Sequence, residues 1–222
     1  MSFRGKLERR SRSRARLGND CRQEQHGRIH ADAGSKDREL TLIEHFLPRH
    51  QFSERHACAI TAPPARILDA VAAYRPETDP LFRAMIGLRE LPMRLFGKPD
   101  HRRASFGIDD FTLLGRDETS IVYGLVGQFW KPNYGLVPVA DGAAFQAIDA
   151  DDVAKLVLAF TVSRDREGQT RLVTETRVYC PNHATRLKFT PYWLLIRPVS
   201  GLLRRRILSS VRKTSEQGVL HP

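Results

Sequence analysis

Three cysteines in 222 residues, Cys21, Cys58 and Cys180, are too few and too far apart for a disulfide framework, and with no CxxC pair they do not read as a zinc site. A reducing, cytoplasmic compartment is the expectation. No apolar run approaches the ~18 residues that a membrane span needs. The opening MSFRGKLERRSRSRARLGND has no apolar segment behind its basic residues, so it does not read as a secretory signal. No GxGxxG is followed by an acidic partner, and there is no phosphate-binding P-loop and no GxSxG nucleophile elbow. Acidic residues are absent from Thr176 to Ser215. These absences remove the common nucleotide-binding, hydrolase and metal chemistries that announce themselves by motif.

What is present suits a folded domain. Hydrophobic residues make up 41 % and charged residues 27 % of the chain. Net charge is +11, and the excess is uneven. Residues 1–16 carry Arg4, Lys6, Arg9, Arg10, Arg12, Arg14 and Arg16 against Glu8. Residues 1–49, polar and without sustained period, are read as a disordered basic extension, within which Leu40–Leu47 is a candidate helical turn before Pro48. The domain is expected over residues 51–216, with a short tail at 217–222.

Within the domain, Ser53–Thr61 alternates polar and apolar residues as a strand does. Ala62-Pro-Pro-Ala ends it and opens a helix carrying Ile67, Leu68 and Val71. Asp79–Gly97 is a second helical segment, with Phe82, Met85, Ile86 and Leu88 as its stripe. Strand candidates follow at Phe111–Leu114, Ser120–Trp130 and Phe145–Asp149. Ala154–Ser163 and Thr170–Cys180 form a hairpin with Gly168 in its turn. Alternation in the second arm turns Leu172, Thr174, Thr176, Val178 and Cys180 inward and Arg171, Glu175 and Arg177 to water. From Asn182 to Glu216 an apolar period of three and four predicts one long helix with Asn182 as its cap. Pro191 and Pro198 are expected to bend or interrupt it. On a helical wheel Arg186, Arg197, Arg204, Arg205 and Arg212 share an outer flank with no carboxylate to offset them.

Strand, helices, antiparallel strands and a long terminal helix make an α+β layer solution. The segments Ile60-Thr-Ala-Pro63 with Ile67–Val71, Gly124–Pro132, the hairpin Leu158–Phe160 to Thr174–Val178, and Phe189–Gly201 with Arg204–Arg206 resemble the START-like superfamily, also called SRPBCC. The resemblance spans about residues 52–216. It implies the helix-grip fold, a curved antiparallel sheet wrapped round a long C-terminal helix. It also implies an apolar cavity that takes a lipid, sterol or polyketide-like molecule. By the same resemblance the cavity is lined by Phe82, Met85, Leu88 and Leu91 of the second helical segment. The strands add Tyr123, Phe129, Phe160, Thr174 and Thr176, and the long helix adds Tyr192, Trp193 and Ile196.

No catalytic, metal or cofactor set stands out. His56 and Cys58 share a strand face without a third ligand, and no acid–base pair can be assigned to an interior face. The leading expectation is non-catalytic binding of an apolar small molecule. The alternatives are a cyclase- or isomerase-like enzyme using the same cavity, or a basic surface that meets an anionic membrane or nucleic acid.

Overall fold

The computed structural model describes residues 22–23, 41–75, 110–131, 133–165 and 167–217. In chain order these form β1 (Arg22–Gln23), α1 (Leu42–Phe46), β2 (Phe52–Ala59), α2 (Pro64–Ala73), β3 (Thr112–Arg116), β4 (Ser120–Gly127), α3 (Gly142–Ala147), β5 (Ala154–Arg164), β6 (Thr170–Tyr179) and α4 (His183–Gln217). The strands make one sheet in the order β1-β2-β6-β5-β4-β3, antiparallel at every step. The helix α4 packs across β2 and β6 and against α2. This is the α+β helix-grip arrangement expected from the sequence.

Local chemistry explains the elements. Pro64 opens α2 where its missing N–H costs nothing, and Ile67, Leu68 and Val71 turn inward. The β5–β6 hairpin closes on Asp165, whose Oδ1 accepts from the amides of Glu167 and Gln169 at 3.0 and 2.9 Å. Gly168 supplies the left-handed φ of 78° that the turn requires. Asn182 caps α4 as expected, its Oδ1 accepting from the Thr185 amide at 2.9 Å. The helix then runs 35 residues without interruption at either proline, a rod of about 50 Å. Both prolines lie on the exposed side, where a missing donor disturbs no packing.

The sheet is covered on both faces. Ile121, Phe160, Val162 and Leu172 meet α2 and the C-terminal half of α4 through Ile67, Leu68, Ile207, Leu208 and Val211. The opposite face carries Leu114, Val122, Val126, Val157 and Ala159, packed on Ile43 and Leu47 at α1 and on Phe145 of α3.

Two expectations are corrected by that second layer. Phe145–Asp149 is not a strand. Asp141 caps a helical turn by accepting from the Ala144 amide at 2.8 Å, and Phe145 is driven fully inward. The candidate turn at Leu40–Leu47 is the helix α1 over residues 42–46, but it is packed on the domain rather than part of a disordered extension. Thr41 closes its first turn by donating from N and Oγ1 to Glu44 Oε2, and Ile43 and Leu47 are buried. Packed structure therefore begins upstream of Gln51. The two residues of β1 also come from that stretch and pair with Ala57 and His56. Residues 1–21 and 24–40, the second helical segment with Phe82, Met85, Leu88 and Leu91, and residues 218–222 lie outside the described residues.

Candidate functional site

The period of two in β2 places Glu54, His56 and Cys58 on the face beneath α4. Antiparallel register sets Thr176 opposite Glu54 and Thr174 opposite His56. Four polar side chains thus form a square on the inner surface of the sheet. All four are buried, with His56 and Thr174 wholly so. On β5, Leu158 and Phe160 lie next to Thr176 and Thr174 and bound the square with apolar surface.

The helix closes over this square at Gly201. A Cβ there would stand 2.9 Å from Glu54 Oε1 and 3.5 Å from His56 Cε1, so only glycine lets the backbone come down so close. Glu54 Oε1 and His56 Nε2 are 2.8 Å apart. Nearly one turn further along α4, Arg204 turns inward. Its Nε donates to Ser200 Oγ at 3.3 Å, and its Nη1 is buried. Burial pushes the guanidinium down to about 10, with the charge of Glu54 pulling it back up.

The cluster is under-satisfied. Glu54 Oε2, His56 Nδ1, Thr174 Oγ1, Thr176 Oγ1 and Arg204 Nη1 are buried with no hydrogen-bond partner among the described residues. A buried polar group left without a partner costs about 1–3 kcal/mol. Five such atoms lie together between the sheet and α4.

On the N-terminal side of the square the interior is aromatic. Phe189 stacks edge-on against Phe52 at 4.9 Å and lies 6.3 Å from Phe129, 5.6 Å from Tyr192 and 6.0 Å from Trp193. Leu125, Ala154, Val178 and Cys180 complete this cluster. Burial pushes the Cys180 thiol up to about 11, with Arg186 pulling it down. On the C-terminal side the apolar cluster under α2 takes over, and half-buried Tyr123 joins its edge. Burial raises the Tyr123 hydroxyl, opposed by Arg116 and Arg75.

The residues expected to line a cavity are therefore divided. Thr174 and Thr176 sit in the polar square. Phe129, Tyr192 and Trp193 belong to the aromatic cluster, Tyr123 and Phe160 to the cluster under α2, and Ile196 is half-buried. Sequence reasoning missed Glu54, weighed His56 only as a metal ligand beside Cys58, and put Arg204 on the outer flank. The first two were legible, since Glu54 and His56 stand in phase with Cys58 and Ile60, both buried. The expectation that no interior face holds an acid–base pair is overturned by the Glu54–His56 contact. The outer flank of arginines is corrected too. Arg204 turns inward, and Arg212 pairs with Glu216 of the same helix at 3.3 Å.

Two surface hollows lie elsewhere. One of about 320 Å³ sits at Arg49, Gln146, Lys155 and Tyr179, and one of about 210 Å³ between α2 and the end of α4. Among the described residues no three His, Cys, Asp or Glu side chains gather to hold a metal ion, and no helix is long and apolar enough to cross a membrane.

No protein-family model matches the sequence, and no curated protein matches it. Among solved structures the chain is similar to the lipid transfer and protein localization domain of human StarD13 (DLC2). The two share 11 % identity over 74 % of this chain and 77 % of that one, with a TM-score of 0.24. A score that low describes no superposable geometry.

Proposed function

We propose that the domain binds a small, largely apolar molecule between the sheet and α4, and that Glu54, His56, Arg204, Thr174 and Thr176 receive its polar end. The single observation behind this reading is the set of five buried polar atoms between the sheet and α4 that lack a partner among the described residues. Apolar clusters on both sides of the square suit a hydrocarbon or ring body, and a few convergent polar groups in an apolar surround are the usual make-up of a ligand site. Arg204 favours an acidic headgroup, because a guanidinium matches a carboxylate with two parallel hydrogen bonds.

The test is a fluorescence titration of the intact chain with a fatty acid, a sterol and an aromatic polyketide, with native mass spectrometry of the protein as purified. Trp193, in the aromatic cluster on the N-terminal side, reports binding. At least one class should bind saturably, and Arg204→Met should weaken it by about 10–100-fold, the scale of one charge-assisted hydrogen bond. No saturable binding and no bound mass would sink the reading. The 2.8 Å Glu54–His56 contact also supports a second reading, acid–base catalysis on the same ligand. A ligand recovered chemically altered, and unaltered from His56→Gln, separates catalysis from carriage.

A further inference from the structure

We infer that the outer face of α4 docks on an anionic lipid surface. Leu187, Leu194, Leu195 and Leu202 are 60, 63, 69 and 53 % exposed. At about 100° per residue they fall with Pro191 and Pro198 into one sector of roughly 100°. Every residue of that sector from 187 to 202 is leucine or proline. A helix lying on a domain normally keeps charge on its solvent side. Here the inner side is buried, and the outer side is apolar again.

Cations rim the stripe. Arg186 and Arg197 stand on one side, Lys188 on the other, and Arg205 at its C-terminal end, all exposed. No Asp or Glu lies between Thr176 and Ser215 to balance them. Apolar centre and basic rim together select the partner. A nucleic acid would answer the cations and leave the leucines wet. A second copy would bring the same basic rim against itself, since a two-fold contact pairs like with like. A bilayer with acidic headgroups answers both features. The leucines enter the boundary between headgroups and chains, and the arginines stay among the phosphates.

The experiment is sedimentation of the full chain with vesicles, either phosphatidylcholine alone or phosphatidylcholine mixed with phosphatidylserine. The protein should pellet with the mixed vesicles. Added salt should reduce pelleting, because screening removes the attraction of the rim. The variant Leu194→Gln/Leu195→Gln/Leu202→Gln should lose about tenfold or more of its partition while keeping its melting temperature and its ligand titration, since these side chains touch neither the core nor the buried square. Arg186→Gln/Arg197→Gln/Arg205→Gln should lose the preference for acidic lipid. The proposal is overturned if the chain stays in the supernatant, or if the leucine variant partitions like the parent. It is equally overturned if lipid-free protein is a dimer that the leucine variant breaks and neither form pellets.

Discussion

The two halves of the interior beneath α4 have opposite characters. Under its first three turns, Phe52, Phe129, Phe189 and Trp193 fill space with ring against ring at 4.9–6.3 Å. Under Gly201 and Arg204, polar atoms face one another and five lack a partner among the described residues. The aromatic half is complete as it stands, because dispersion contacts ask only for shape. The polar half is incomplete, because a hydrogen bond asks for a donor, an acceptor and an angle. A ligand acts where interactions are still to be made, so the reading of function moves from the aromatic side chains to Glu54, His56 and Arg204.

Three measurements test this division. Phe189→Ala should have the largest effect, a loss of about 3–5 kcal/mol in denaturant unfolding, as for other fully buried aromatics. A loss below about 1 kcal/mol would mean the aromatic half is loosely filled and itself a site. Next comes Gly201→Ala. In an exposed helix interior this change adds up to about 1 kcal/mol of stability, but here the new methyl meets Glu54 Oε1. The substitution should therefore lower stability by about 1 kcal/mol in the parent and raise it in a Glu54→Ala background. A gain in both backgrounds would show that the helix does not bear on the pair. The third measurement varies pH. The Cys180 thiol is held neutral in the fold, pushed from 9.0 to about 11 by burial. An unfolded chain ionises it earlier, so stability should be full below pH 9 and fall as the pH rises towards 11. Cys180→Ala should show a shallower decline over that window, and an equal slope in both would mean the aromatic half admits water.

The outline of the fold was readable because β2, β5, β6 and α4 carry their periods plainly. Asn182, Pro64 and Gly168 marked ends and turns by chemistry that depends on few neighbours. The helical turn of α1 was readable in Leu40–Leu47, but its burial, which depends on strands far along the chain, was not. Two further features were not readable, each for a different reason. α3 shows Phe145 and Ala147 two apart, which suits a strand until the Asp141 cap decides otherwise. Arg204 fell on the wrong side because one wheel was applied along a helix that packs by its inner face on Glu54 and leaves leucines outside. Glu54 and His56 were readable from their phase with Cys58 and Ile60, but a pair without a third ligand gave no reason to read them as a site.

The register of β2 has a consequence for how the chain is made. Phe52 pairs with Val178 and Ala59 with Arg171, so the first long strand waits for the last. α1 leaves the ribosome before any of β4 or β5, against which it packs, has been synthesised. Closing such a long loop delays every contact that depends on it. Translation must run through β6 before β2 finds its long partner, and α4, which covers both, follows β6. The earliest apolar segments are therefore the last to be sheltered, and during synthesis they are the ones a chaperone would have to hold.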